Sequence, residues 1–302
     1  LGKGFLNKQI KKINKKSETQ CLAFLLLLSG MQRINISYLI LNQPWHQFAK
    51  ENNINNISEP EILSTNELFT YFYNSILTFK FYNTYPQVKL TVWIVELDRA
   101  NLSGFINKIT YIINKTWQTA NFEIKIIGYD YLQIFIKQII IRSKNGDRHS
   151  FTALHEYCLY TIINLTNDPF LLLTDIDIIF LKKGFLEKLF SKLNKGNIVY
   201  AFLENAREII LDNKIFERKR KIHSFFTLFD LKELNKKLNF QNELSDYFNI
   251  KEKIIKIKNT NLKNHYSKDP VIYDTFTFLT HYLENNFKKN MLCNLQNKFE
   301  CF

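Results

Sequence analysis

The sequence predicts an α/β domain with a mostly parallel sheet flanked by helices, behind a mainly helical N-terminal region. Three observations predict it. Apolar, β-rich runs ("KLTVWIVEL", Lys89–Leu97; "FEIKIIGYD", Phe122–Asp130; "PFLLLTDID", Pro169–Asp177) alternate with stretches of helical periodicity. The first and last of these runs are nearly unbroken in apolar residues, as strands buried on both faces are. A hydrophobic share of 46% and an aromatic share of 15% over 302 residues supply an ample core and argue against global disorder.

Residues 1–85 read mainly as helices. Apolar positions recur around Phe5–Ile13, Cys21–Met31 and Glu61–Tyr82, the polar "ENNINNISEP" (Glu51–Pro60) reads as a loop, and "ISYLILN" (Ile36–Asn42) is a candidate strand. Pro86 punctuates, and residues 86–302 are expected to form the α/β domain. A helix follows the first strand over Asn101–Ala120, capped near Asn101 or Ser103. "YLQIFIKQIII" (Tyr131–Ile141) is ambiguous, "RSKNGDRHS" (Arg142–Ser150) holds a turn at Asn-Gly, and "FTALHEYCLYTIINL" (Phe151–Leu165) is a helix. "PFLLLTDID" (Pro169–Asp177) is then the expected third strand of this domain, followed by the "FLEKLFSKL" helix.

The formal net charge is +13. Such an excess favours polyanions: nucleic acid, an anionic membrane surface, or phosphate-bearing small molecules. Basic residues concentrate at Lys3–Lys16, in "ERKRK" (Glu217–Lys221) and at Lys251–Lys263, and a solvated face explains them equally well. No aromatic-basic RNA signature or helix-turn-helix pattern is present, so nucleic acid is not the expected partner. Cys21, Cys158, Cys293 and Cys301 show neither CxxC pairing nor zinc spacing, which fits a reduced, cytoplasmic protein. "CLAFLLLLSGM" (Cys21–Met31) is too short to span a bilayer and reads as a buried helix, while peripheral membrane contact stays compatible with the charge. No G-x-G-x-x-G or Walker loop occurs, which argues against common dinucleotide and P-loop enzymes.

In parallel sheets ligands bind outside the carboxyl ends of the strands. Three acidic sites fall there: Glu96 with Asp98, Asp130, and Asp175 with Asp177. An unpaired buried carboxylate is costly, and residues i and i+2 of an extended chain point to one side. The Asp-x-Asp pair therefore lies at an exposed strand end or has a cation between its members. A dehalogenase-type phosphatase would use it as nucleophile and general acid, but Ile179 stands where that motif has Thr or Val. A polymerase-β-like nucleotidyltransferase wants a preceding Gly-Ser pair, which is missing. In a nucleotide-sugar glycosyltransferase the pair holds Mn2+ or Mg2+, a hard ion suited to oxygen ligands. Capping of the following helix is the plainer alternative.

The stretch "RSKNGDRHSFTALHEYCLYTIINLTNDPFLLLTDIDIIFLKKGFLEKL" (Arg142–Leu189) resembles the region through the Asp-x-Asp of glycosyltransferases with the GT-A (Rossmann-like) fold, family-2-like members included. Gly146, His149, Ala153 and Leu154 stand in the corresponding order, with Ser150 where glycine is common. "RKIHSFFTLFDLKEL" (Arg220–Leu234) is similar to a segment built on His-Pro, with Ser224 for the proline. "PVIYDTFTFLTHYLENN" (Pro270–Asn286) is similar to one built on Tyr-Asp-Thr-Gly, with Phe276 for the glycine. The likeness covers about residues 88–286.

The resemblance implies a metal-dependent transfer from a nucleotide-diphosphate sugar, UDP- or GDP-linked, to a hydroxyl of a glycan, lipid-linked or protein acceptor. It implies Asp177 as direct metal ligand, and Asp175 at the ribose or at the metal through water. It places Asp130 at the nucleotide base, with Glu96 and Asp98 at base or ribose, or else simply exposed loop acids. His149 would donate to sugar or phosphate, and His223 would bind metal or diphosphate. Asp274 in "YDT" fits the general base of an inverting transfer, with Glu204 and Asp246 as alternatives and helix capping as its plainer role. A dehalogenase-type phosphatase and a non-catalytic, basic polyanion-binding module remain the alternatives.

Overall fold

The computed structural model describes residues 33–54, 64–117, 121–144, 150–191, 198–211 and 214–235, with Phe276, Leu279 and Leu292–Asn294. The described strands are β1 (Ile34–Leu41), β2 (Val88–Val95), β3 (Phe122–Ile127), β4 (Phe170–Thr174), β5 (Val199–Leu211), β6 (Lys214–Asp230) and β7 (Leu292–Asn294). The helices are α1 (Trp45–Glu51), α2 (Thr65–Tyr82), α3 (Leu102–Thr116), α4 (Tyr129–Lys144), α5 (Ser150–Leu165), α6 (Phe185–Ser191) and α7 (Leu231–Asn235).

All these strands share one sheet in the order β3-β2-β1-β4-β6-β5-β7. β3, β2, β1 and β4 are parallel, β6 runs antiparallel to β4 and to β5, and β7 is parallel to β5. The mostly parallel, helix-flanked class read from the sequence is therefore the class observed.

β1 explains why the sheet is double-faced. Its sequence INISYLIL sends Ile34, Ile36, Tyr38 and Ile40 to one face and Asn35, Ser37, Leu39 and Leu41 to the other. The first face is covered by α2, α3 and α6 through residues such as Phe72, Phe79, Ile109, Ile113 and Leu186. The second is covered by α1, α4, α5 and α7 through Phe48, Leu132, Leu159, Ile163 and Leu234. The polar residues of the second face are joined rather than exposed. Trp93 Nε1 donates to Ser37 Oγ (3.3 Å), Ser37 to Asn35 Oδ1 (2.9 Å), and Asn35 Nδ2 to Asp168 Oδ2 (2.8 Å).

Local chemistry sets where helices begin. Ser64 accepts the Glu67 amide while the Glu67 carboxylate accepts the Ser64 amide, a reciprocal box that starts α2. Asn101 is the first flanking residue of α3 but its side chain makes no capping bond. Asp98 instead orders the turn leading into the helix, its Oδ1 accepting from Ala100 N at 2.9 Å and Asn101 N at 3.4 Å.

One sequence expectation needs correcting, one ambiguity is resolved and one element is new. The boundary at residue 85 cuts through the fold, because Ile34–Leu41 is the strand between β2 and β4 and α2 lies on the same sheet. "ISYLILN" was short and its partners distant in sequence, so pattern alone did not place it. The ambiguous Tyr131–Ile141 lies within helix α4. The hairpin of β5 and β6 was unforeseen, and the basic run Glu217–Lys221 is part of its backbone, with Glu204 opposite Lys221 and Arg207 opposite Arg218.

Phe79 stands at the centre of an aromatic cluster, against Trp117 (5.6 Å), Phe180 (5.1 Å) and Phe185 (5.5 Å). Phe79→Ala is expected to cost about 3–5 kcal/mol, as deletion of a core aromatic does. Urea denaturation, read as a lower midpoint at unchanged slope, checks it.

Candidate active site

The chain runs outward from β1 to β2 and β3, then returns to place β4 on β1's other side. The strand order reverses between β1 and β4, the kind of switch point where ligands sit. Outside the carboxyl ends lie Asn42 and Gln43 after β1, Glu96 and Asp98 after β2, Asp130 after β3, and Asp175 and Asp177 after β4. With strands about 4.8 Å apart, the ends of β2 and β4 are roughly 10 Å apart and β3 lies a further strand away.

β4 is buried along its length, and the chain leaves the sheet immediately after it. Asp175 N donates to Phe225 O of β6 (3.0 Å), the last ladder bond, and Ile178 N then donates to Asp175 O (3.4 Å). The two aspartates thus sit in a turn, not on an extended strand as the i, i+2 argument assumed. Their environments differ. Asp175 is half-buried and Asp177 exposed. Burial pushes the Asp175 carboxyl up to about 7, and the neighbouring charge of Asp177 adds to the effect. A hard divalent cation suits such a pair.

His223 lies on β6 two residues before Phe225, half-buried, its ring 5.2 Å from that of Phe225. Among the described residues no group of three or more His, Cys, Asp or Glu is arranged to hold a metal. His223 is therefore near the turn in the chain's course without completing a ligand triad with the two aspartates.

The other acids are tied into the protein. Glu96 Oε2 accepts from Tyr129 N (2.7 Å), and Arg99 Nε lies 3.5 Å from its Oε1. The same guanidinium reaches Asp130 Oδ2 (2.5 Å) and lies over the Tyr129 ring (5.5 Å). Asp98 Oδ2 also accepts from Asn101 Nδ2 (2.5 Å). Glu96 and Asp98 thus have structural work to do, and Asp130 stands exposed at the start of α4.

Asn42, Gln43 and Arg99 went unnoticed in the sequence. Asn42 Oδ1 accepts from Leu97 N (2.7 Å) and Asp98 N (3.0 Å) while its Nδ2 donates to Asp98 O (2.5 Å). One side chain therefore fixes the β2 exit. Gln43, 5% exposed, donates to Glu51 Oε2 (2.8 Å), while its Oε1 has no hydrogen-bond partner. Bonds from Gln43 and then Gln47 hold the Glu51 carboxyl below its usual range. The signal in the sequence was "LNQPW", polar residues and a proline ending a β-rich run.

His149, Asp274 and Asp246 lie outside the described residues, and of Glu204 only the backbone, within β5, is described. Phe276, where the resembling segment has glycine, is fully buried against Tyr160 and Phe229 and has φ 61°. That is left-handed backbone, which glycine adopts freely and a bulky residue rarely does.

No family model matches the chain, and no curated protein matches it. Solved structures with a similar chain course include mouse xyloside xylosyltransferase 1 in its apo form, at TM-score 0.45 and 8% identity over 87% of this chain and 85% of that one. The galactosyltransferase LgtC with donor and acceptor sugar analogues gives 0.43 and 11% over 72% and 66%. The bifunctional IspDF from Campylobacter jejuni gives 0.33 and 17% over 68% and 43%.

Two outcomes test this geometry. Asn42→Ala strands the buried Leu97 amide, the part-buried Asp98 amide and the Asp98 carbonyl, and is expected to lower unfolding free energy by about 2–4 kcal/mol, measured by urea denaturation. Asp175 holds its proton more tightly folded than unfolded. Its stabilisation is therefore complete below the ordinary carboxylate value of 3.8 and is lost as pH rises to about 7. Thermal denaturation against pH with a chelator present should show that loss, and Asp175→Asn should lack it.

Proposed function

We propose that this chain is a GT-A-like glycosyltransferase that moves a sugar from a UDP- or GDP-linked donor to a hydroxyl acceptor. The observation that carries the reading is the Asp175–Asp177 turn at the exposed end of β4, beside the reversal of strand order. The resemblance of Arg142–Leu189 to the Asp-x-Asp region of such enzymes supports it, and so does the left-handed backbone at Phe276 where they carry glycine.

On this reading Asp177, exposed and charged, holds a Mn2+ or Mg2+ ion, with Asp175 beside it at the metal or the ribose. Such an ion, when bound, offsets charge building on the departing diphosphate. Two carboxylates leave most of its coordination to phosphate oxygens and water, the usual division for a magnesium-like ion. The row of strand ends from β4 to β3 then takes ribose and base, with Asp130 and Arg99 at the far end. Glu96 and Asp98 shape that end through Tyr129, Arg99 and the start of α3. His149 on the sugar, His223 near the diphosphate and Asp274 as general base complete the assignment carried by the resemblance.

Thermal-shift titration tests it. UDP or GDP with Mn2+ is expected to stabilise the protein by about 2.7 kcal/mol at a hundred times its Kd, and neither component alone should match the pair. Asp177→Ala, an exposed substitution, should keep the fold and abolish the joint effect. If neither nucleotide stabilises the protein and Asp177→Ala changes nothing, the reading is wrong.

A further inference from the structure

Among the described residues the two most exposed large apolar side chains are Phe81 (74%) and Leu181 (63%). They are far apart in sequence but belong to two stretches tied together. Phe180 N donates to Thr78 Oγ1 at 3.2 Å, and Gly184 N to Tyr82 O at 3.1 Å. The segment after Asp177 therefore runs along the last turns of α2. Phe180 is buried against Phe79, Phe185 and Phe226, and its neighbours Ile179 and Leu181 are left exposed. On α2, Leu77 is exposed one turn before Phe81, beside the residues that tether the segment.

The charge on these stretches has one sign. Residues 77–83 and 178–184 contain Lys80, Lys182 and Lys183, all exposed, and no acid. Single exposed apolar residues are ordinary. Here the two most exposed ones share a tethered surface with Lys182 and Lys183, while the Lys80 ammonium lies over the Trp117 ring (5.7 Å), in a chain of net charge +13.

We propose that this surface docks on an anionic phospholipid bilayer. The apolar side chains would enter the boundary between headgroups and acyl chains while the lysines stay among the headgroup charges. No described helix is long and apolar enough to cross a membrane, and surface docking needs none. Leu181 follows Asp177 by four residues, so the acidic turn lies within about 14 Å of the docked lipid. That such docking presents a lipid-borne acceptor to the turn rests on the glycosyltransferase reading above. Docking itself does not.

Cosedimentation with phosphatidylglycerol vesicles, against phosphatidylcholine vesicles, tests it. Binding to the anionic vesicles is expected, falling about fivefold for each of Lys182→Gln and Lys183→Gln. Phe81→Ser with Leu181→Ser should lower it at least about tenfold. Leu165→Ser, which removes an exposed leucine (50%) from the helix layer on the other side of the sheet, should leave it unchanged. Circular dichroism confirms that the variants fold. Asp177→Ala should still bind vesicles, and Phe81→Ser with Leu181→Ser should still respond to nucleotide and Mn2+, so the two readings fail separately. Absence of binding to phosphatidylglycerol, or equal binding by every variant, overturns the proposal. So does a doubled mass in light scattering without lipid that Phe81→Ser abolishes, which would assign the surface to a second copy of the chain.

Discussion

β1 is held on both sides by parallel ladders. Ile36 sits between Leu90 and Leu172, and Tyr38 between Val92 and Thr174. A slip of one residue would turn Asn35 and Ser37 into the all-apolar layer under α2 and move four apolar side chains out of it. Both faces being buried, no register but the observed one satisfies them. The same register delivers Asn42 to the end of β2, where it bonds to Leu97 and Asp98, and sets the β4 exit alongside. The edge of acids is therefore a consequence of one strand's alternation.

The two aspartates of the β4 turn are chemically unequal because of how the chain leaves the sheet. The last ladder bond, Asp175 N to Phe225 O, keeps Asp175 partly inside, while Asp177 is already past the turn. Burial, with the neighbouring charge of Asp177, then raises the Asp175 carboxyl. Proteins seldom keep such a pair without a compensating charge. Within the β2 and β3 ends the compensating cation is Arg99, shared between Glu96 and Asp130. No comparable ion pair among the described residues reaches Asp175 or Asp177.

Much of this was legible in the sequence, and the limits have physical causes. β2 and β4 announced themselves because buried parallel strands are nearly unbroken apolar runs, β3 through its β-rich composition at the sheet edge, and the acids closing all three stood out against them. β1 shows the same chemistry, but its partners lie about fifty and more than a hundred residues onward, a separation no local pattern reports. β5 and β6 carry Glu204, Arg207, Glu208 and "ERKRK", whose charge masked the strand. Side-chain partnership was the least legible level. Glu96 and Asp98 read equally as nucleotide contacts or exposed loop acids and Asp130 as a base contact, whereas nothing in the sequence tied them to Tyr129 and Arg99, and Asn101 read as a helix cap and not as the partner of Asp98.

The segment from Asp175 to Gly184 gathers these strands of the structure. It is tied at Phe225 O, Thr78 Oγ1 and Tyr82 O and pinned by a buried Phe180. A loop so fixed has already lost most of its conformational freedom on folding, so holding a ligand at Asp177 requires little further ordering. The same pinning explains why Ile179 and Leu181 stay in solvent. They flank a phenylalanine that fills its site against Phe79 and Phe185. The turn that carries the acids and the surface that carries the apolar and basic residues belong to one tethered segment, so whatever touches Leu181 lies within about 14 Å of Asp177.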